Sequence, residues 1–379
     1  MLLFVIGTRP ELIKVAPLIL ELKRRNSESF ILVNTGQHKQ LLEKYWKAFG
    51  IEPDYNLEVI LSNQDLSSLT TRAIDQLNNL IKRIVVERGK PNFIISQGDT
   101  TTVLAASMVA FYHKIPFAHI EAGLRSFDLM QPYPEEFNRR VASIGAAAHF
   151  APTSIARENL LKENIPNEKI FVVGNSGIDA LQIISRSSEL ENLVFTDARL
   201  NEALKAQSSK IVLITCHRRE NHENNLLNII SAIAAIAVKR KDCLFVWPIH
   251  PNPNVKQVVL SSVLASMSNV ILTDPLDYTE TIKILSRSFK VITDSGGLQE
   301  EAPSFKLPVL ILRERTERPE AVDAGYSILV GSDTEKIIEN FEHFNPVFSE
   351  DFKNPYGDGM TSKRIIDHLI ELSDKQNVE

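Results

Sequence analysis

Short apolar runs rich in β-branched residues recur along this chain. Each closes on glycine or a small polar residue, and a longer stretch of helical spacing follows. Leu2–Ile6, Phe93–Ile95, Phe117–Ile120, Ile170–Val173 and Val291–Thr293 lead into Gly7, Gly98, Gly123, Gly174 and the pair Gly296-Gly297. The runs do not alternate apolar with polar, so they predict strands covered on both faces, as in a parallel sheet flanked by helices. The rhythm restarts in the second half at Ile211–Thr215, Leu244–Pro248, Val270–Thr273, Val291–Thr293, Val309–Leu312 and Ser327–Val330. Helical patterns lie between them at about 222–238, 253–264, 278–287, 297–303 and 334–342. Such a chain is α/β, and 379 residues suit two doubly wound halves. Residues 186–208 are polar and helical at best, and read as part of the crossing between the halves. Ile365, Ile366, Leu369, Ile370 and Leu372 form one face of an amphipathic helix over 360–375. Leu69, Ile74, Leu77, Leu80, Ile81 and Ile84 read as a core-facing stripe, with a dimer face as the alternative.

Charge and composition exclude several classes. Forty-two basic residues against forty-seven acidic ones give a net charge of −5, which rules out a nucleic-acid binder working by bulk positive charge. Two cysteines, Cys216 and Cys243, cannot build a disulfide framework or a four-cysteine zinc site, and they suit a reducing cytosol. The chain opens without a signal-peptide pattern, and no apolar stretch approaches a membrane span. The expected location is therefore cytoplasmic. No G-x-G-x-x-G opens a strand–helix unit, no Walker A motif occurs, and metalloprotease spacing is missing. We expect no cofactor and no metal.

Ligands of doubly wound sheets bind beyond the carboxyl ends of the strands. The polar residues after each strand, facing a cleft between the two sheets, are thus the candidates. Arg9 and Lys14 stand near a helix start, where the macrodipole disfavours cations; they predict an anion held there, against a plain solvated loop. Asp99 follows the next strand and could equally be an N-cap. Glu121 ends a buried strand, where an unpaired carboxylate is costly, so it is paired or it works. Pro132 and Pro134 fix the loop in front of Glu135, which would also serve as an ordinary first-turn acid. Asp99, Glu121 and Glu135 together form a candidate acid/base set. The second half offers His217, Arg218 and His250 after its first two strands. Ser295, Gly296 and Gly297 leave backbone N–H groups at a helix start, a diphosphate cradle without metal. Glu301 lies one turn further, placed to accept hydrogen bonds from a ribose.

Taken together, these motifs resemble those of the non-hydrolysing UDP-N-acetylglucosamine 2-epimerases. The matching stretches are Gly7-Thr8-Arg9-Pro10-Glu11, Thr35-Gly36-Gln37-His38, Gly98-Asp99-Thr100-Thr101-Thr102, Glu121-Ala122-Gly123-Leu124-Arg125 and Pro134-Glu135-Glu136. They continue through His217-Arg218-Arg219-Glu220, His250-Pro251-Asn252-Pro253-Asn254, Asp294 to Pro303, Thr316-Glu317-Arg318-Pro319-Glu320-Ala321 and Asn354-Pro355-Tyr356-Gly357-Asp358-Gly359. The resemblance covers essentially the whole chain. It implies a GT-B fold of two Rossmann-like, doubly wound parallel-sheet domains facing a central cleft. These would be 1–173, completed by a C-terminal helix at 360–379, and 174–359. It also implies a homodimer with no cofactor and no metal in the chemistry.

The implied reaction interconverts UDP-GlcNAc and UDP-ManNAc for surface-polysaccharide precursors. The hydrogen on sugar carbon 2 is not acidic, so UDP is eliminated to leave 2-acetamidoglucal and is then added back. By motif matching, Asp99, Glu121, Glu135 and His217 resemble the catalytic residues. Arg9, Lys14, His250, Ser295, Gly296, Gly297, Glu301 and Arg318 would bind UDP and sugar. Some members carry a second UDP-GlcNAc as an allosteric activator; the matching positions are Gln37, Gln40, Arg72, Glu136, Arg218 and His250. The chain departs from the family at Thr281, where an aromatic residue usually stands beside uracil, at Gln97 in place of the usual histidine, and at the extra Gly177, which could loosen a helix start near the hinge. These departures leave open a modified UDP-N-acetylhexosamine substrate. A hydrolysing epimerase releasing ManNAc and UDP, a glycosyltransferase, and a non-catalytic nucleotide-sugar sensor are the other readings. The Gly7–Glu11 loop speaks against the first, and the carboxylate trio against the other two.

Overall fold

The computed structural model describes residues 1–26, 29–36, 39–60, 65–205 and 210–376, with backbone alone at 39–41, 219 and 376. The chain divides into two compact units, Met1–Ala180 with Tyr356–Glu379, and Leu181–Pro355. The joins lie a few residues from the sequence boundaries at 173/174 and 359/360. The segments around them are stitched together: Asn175 N–H donates to Tyr356 O at 2.7 Å, and Asp179 accepts from Ser362 N and Oγ at 2.7 and 2.6 Å.

Unit 1 is built on seven described strands. These are β1 (Leu2–Ile6), β2 (Phe30–Asn34), β3 (Tyr55–Asn56), β4 (Phe93–Gln97), β5 (Phe117–Ile120), β6 (Ala146–Ala151) and β7 (Ile170–Val172). All pair in parallel in the order β3-β2-β1-β4-β5-β6-β7. The order reverses between β1 and β4, which makes their carboxyl ends the switch point of this sheet. Leu2 to Ile6 are buried throughout, as non-alternating strands must be when helices cover both faces. The helix Leu66–Arg88 is capped by Asp65, which accepts from Ser68 N at 2.7 Å. Its stripe of Leu69, Leu77, Leu80, Ile81 and Ile84 lies in the core with Val103, Ala106 and Val109 of the helix Thr101–Tyr112. The stripe is core-facing, not a surface for a second copy. The closing helix Thr361–Gln376 buries Ile365, Ile366 and Leu369 and ties Asp367 to Arg25 of the helix Arg9–Arg25 at 2.6 Å.

Unit 2 carries β8 (Lys210–Thr215), β9 (Cys243–Pro248), β10 (Val270–Thr273), β11 (Ser288–Thr293), β12 (Val309–Ile311) and β13 (Ser327–Leu329). All are parallel in the order β10-β9-β8-β11-β12-β13, with the switch between β8 and β11. The helix Asn224–Lys239 covers one face through Leu226, Ile229, Ile233 and Ile236, packed with Trp247 and Phe245. Lys290 on β11 is fully buried, and its ammonium caps the end of the helix Thr334–His343 through Phe341 O at 2.7 Å and Phe344 O at 2.8 Å. Burial draws that ammonium down to about 8.

Three strands carry weaker signals. The run of β2 carries only one β-branched pair, Ile31 and Val33, before it closes on Asn34-Thr35-Gly36, β3 is two residues long, and β6 is alanine-rich, a composition that favours helix. The single helix expected over 253–264 stops at Leu260, and Ser262 then caps a short 3₁₀ turn, Val263–Ser266. The polar stretch 186–208 holds two short helices, Ser188–Glu191 and Ala198–Lys205.

Candidate functional site

In unit 1 the strand ends of β1, β4 and β5 carry a connected set of charges. Glu121 follows β5 with φ of +65°, a left-handed conformation that costs a side-chain-bearing residue of order 1 kcal/mol or more. Gly123, two residues on, has φ of +91°, and a Cβ there would stand 2.2 Å from Ala156 O. Only glycine lets this loop lie so close to the helix Ser154–Lys162. The Glu121 carboxylate is paired: Lys14 Nζ reaches both oxygens at 2.7 Å, and Gln97 Nε2 donates to Oε2. Lys14, which the resemblance places on UDP, pairs with Glu121, 107 residues away. Gly177 sits beside this pair, where a Cβ would be 3.5 Å from Lys14 Cε. That is an ordinary contact; the tighter one is with Asn175 Oδ1 at 3.1 Å, the oxygen that also accepts from the Gly177 N–H at 2.8 Å.

Asp99 follows β4. Arg139 on the helix Glu135–Gly145 binds its Oδ2 through Nε at 2.9 Å and Nη2 at 2.8 Å, and Asn138 Nδ2 donates to its carbonyl at 2.8 Å. Thr100, not Asp99, caps the next helix, so Asp99 keeps its carboxylate for the arginine. Glu135 is partly buried, and its Oε2 has no partner among the described residues. Glu136, one of the residues the resemblance places in a regulatory pocket, makes internal contacts. It is fully buried, and it accepts from Arg139 at 3.2 Å and from Ser126 and Phe127 N–H at 3.1 and 3.3 Å. His119 on β5 donates through Nε2 to Gly98 O at 2.7 Å; burial pulls it down to about 4, so it is neutral at working pH.

At the first helix start a side chain of the helix itself, Glu11, takes two backbone N–H groups. Glu11 Oε2 accepts from Gly7 N at 2.6 Å and Thr8 N at 2.8 Å, and Thr100 Oγ1 donates to its Oε1. Glu11 is buried, and burial lifts its carboxyl to about 7 against these hydrogen bonds, with the Asp99 charge adding to the rise. Arg9 is exposed and lies over the Tyr45 ring at 5.9 Å.

In unit 2 the corresponding buried acid is Asp294, after β11. Its Oδ2 accepts from His217 N at 2.8 Å, Arg218 N at 2.9 Å and Asn221 Nδ2 at 2.9 Å, while His217 Nδ1 stands 3.0 Å from Oδ1. Despite burial, His217 and these donors hold the carboxyl down at about 2. An ionised aspartate beside Nδ1 holds the imidazole through that nitrogen and leaves Nε2 as the one not facing Asp294. His250 stacks on His217 with ring centres 5.8 Å apart, and desolvation followed by the neighbouring His217 lowers its basicity.

The cradle expected after β11 is only partly open. Ser295 N–H is taken by Thr293 Oγ1 at 2.9 Å, because the side chain of the strand's last residue folds back under the turn. Gly296 and Gly297 begin the helix Gly296–Glu301, and Glu301 ends it. A Cβ at Gly296 would lie 2.8 Å from the Arg318 guanidinium, so that glycine is required for Arg318 to pack there. Arg318, expected on the substrate, is bound to Glu300 at 2.5 Å and Glu317 at 2.7 Å. Against burial, Arg318 and Arg313 keep Glu317 well below the usual carboxylate range. Of the expected regulatory positions, Arg72 donates to Val59 O at 2.8 Å and Arg218 to Asp294 O at 3.2 Å. Gln37 and the side chain of Gln40 lie outside the described residues. Among the described residues no three His, Cys, Asp or Glu side chains gather as a metal ion would require.

Glu11, Arg139 and Asp294 are the site residues that strand-end reasoning missed. Glu11 reads in sequence as an ordinary third-position capping acid, and Asp294 as a turn residue. Their spacing from a strand end is the one local signal they carry.

Two Rossmann-like parallel sheets in one chain, each with ionisable groups at its switch point, define a GT-B protein. A family model described as UDP-N-acetylglucosamine 2-epimerase matches residues 20–370. The UDP-N-acetylglucosamine 2-epimerase of Neisseria meningitidis serogroup A is 44% identical over 97% of this chain and 99% of its own. The crystal structure of UDP-GlcNAc 2-epimerase from Neisseria meningitidis bound to UDP-GlcNAc superposes with a TM-score of 0.85 at 42% identity, covering 98% of this chain and 99% of that one. That of the Methanocaldococcus jannaschii enzyme in complex with UDP-GlcNAc and UDP gives 0.81 at 34% identity, with 98% and 99% covered. The chain belongs to the UDP-N-acetylglucosamine 2-epimerase family, and is an isomerase.

Proposed function

We propose that this chain is a non-hydrolysing epimerase that interconverts UDP-GlcNAc and UDP-ManNAc, feeding surface-polysaccharide synthesis in the cytoplasm as a homodimer. The observation that carries the reading is Glu121, held in a left-handed backbone conformation against Lys14 and Gln97, with the arginine-bound Asp99 at the neighbouring strand end. A fold does not keep a carboxylate in so costly a place for packing alone.

In the elimination a carboxylate of unit 1 takes the proton from carbon 2. The C1–O bond breaks, the pair from the C–H bond forms the C1=C2 double bond, and UDP leaves with the bonding pair. In the return step UDP oxygen adds to carbon 1 while a proton reaches the other face of carbon 2. Asp99, Glu121 and Glu135 serve these transfers, and Lys14 serves with Glu121. His217, set by Asp294, protonates or hydrogen-bonds the departing diphosphate, with His250, Gly296, Gly297 and Arg9 holding UDP and Glu301 the ribose. Stabilising that leaving group supplies the largest share of the rate. Arg72, Arg218 and His250 are the positions for a second UDP-GlcNAc. Glu136 accepts from Ser126 and Phe127 N–H and so holds that loop beside them.

The experiment is a set of three substitutions read by nucleotide-sugar chromatography and UDP titration. Glu121→Gln and Asp99→Asn abolish interconversion while UDP affinity stays within about tenfold; Ser295→Asp, which puts an anion where phosphate belongs, loses UDP affinity. Loss of UDP binding in the carboxylate variants would refute the division of labour.

A further inference from the structure

We infer that Glu11 is a positioning residue for the acid/base set of unit 1, tying the loop after β1 to the loop after β4 so that Asp99 is presented in one geometry. The inference rests on the epimerase reading given above. A capping acid at the third position of a helix reaches back to the N-cap N–H and no further. Glu11 does more. One oxygen takes the N–H groups of both Gly7 and Thr8, and the other takes the hydroxyl of Thr100, 89 residues along the chain. Thr100 adjoins Asp99 and caps the helix Thr101–Tyr112. Asp99 is therefore pinned on two sides: by Asn138 and Arg139 on its own carbonyl and carboxylate, and by Glu11 through the next residue.

No cation binds Glu11 among the described residues, and its side chain is shut away from solvent. Such a carboxyl opposes folding, and packing alone would be better served by an amide or an apolar group. The switch point of a doubly wound sheet is the place where two loops must be held apart for a ligand and still be fixed to each other. Asp99 and Arg139, Arg9 and Lys14 on the same helix as Glu11, and Glu121 and neutral His119 at β5 are the ionisable groups of these strand ends. Asp99 is the one whose charge raises the Glu11 carboxyl.

The test is steady-state turnover of UDP-GlcNAc by the full chain, as wild type, Glu11→Ala and Glu11→Gln, over pH 5.5 to 9, with melting temperatures taken alongside. The expected result for Glu11→Ala is a loss in kcat of at least about 100-fold, with KM within about threefold and a single unfolding transition retained. Glu11→Gln, which can still accept from the backbone and donate to Thr100, recovers kcat to within about tenfold of wild type. The inference is overturned if Glu11→Ala keeps kcat within threefold, if it raises KM at unchanged kcat, or if both variants lose activity only in step with a lower melting temperature. A wild type that does not turn over UDP-N-acetylhexosamines would sink the functional reading itself, an outcome separate from any difference among the variants.

Discussion

Asp294 and Glu11 each cross a switch point with one buried carboxylate, but their environments push their acidities in opposite directions. Asp294 accepts from a histidine, two backbone N–H groups and an amide, and stays ionised. Replacing it by asparagine offers an N–H to His217 Nδ1 and so favours the wrong tautomer. We expect Asp294→Asn to lower kcat by at least about 100-fold while UDP affinity, measured by calorimetry, changes by less than about threefold. Glu11 has only hydrogen bonds to set against its burial. Its folded value of about 7 lies above its ordinary 4.5, so the folded state binds the proton more tightly. Stability from this group is therefore full below about pH 4.5 and falls as pH rises through about 7. At pH 8 the penalty approaches about 3 kcal/mol. Glu11→Gln should then melt higher than wild type at pH 8, and the gain should vanish near pH 5. A gain that grew as pH fell would contradict the assignment.

At the scale of elements, the loop after β5 shows how backbone conformation serves a side chain. Gly123→Ala must place a methyl 2.2 Å from Ala156 O at φ of +91°. We expect a loss of about 2–4 kcal/mol in urea unfolding, with the Glu121 pairing disturbed. On the helix Leu66–Arg88, Leu77→Ala opens the core and should cost about 2–5 kcal/mol, whereas exposed Val86→Ala should stay within about 0.5 kcal/mol. These elements also show what can be read from sequence. Buried strands such as β1 and β8 announce themselves by runs with β-branched residues closing on small ones. β6, with Ala146 to Ala148, does not, because its strand character comes from pairing with β5 and β7 rather than from propensity. Glu121 and Asp99 were legible because a strand end exposes them to scrutiny. Their partners were not: Lys14 meets Glu121, and Arg139 meets Asp99, across separations in sequence that leave no local pattern.

At the scale of the whole molecule, each unit repeats one arrangement: parallel strands reversing order beside the first of them, with a carboxylate linking the loops at the reversal. Unit 1 adds acids balanced by Lys14 and Arg139, and unit 2 adds paired histidines and a glycine turn. Acids near a carbon that must lose and regain a proton, and N–H and imidazole donors for a departing diphosphate, are what elimination and re-addition require. Incubation with UDP-GlcNAc in deuterium oxide, followed by proton NMR, tests this most directly. The account predicts UDP-ManNAc and recovered UDP-GlcNAc both carrying deuterium at carbon 2, with little free sugar. Accumulation of free N-acetylmannosamine and UDP, or epimerisation that leaves the carbon-2 proton in place, would contradict it.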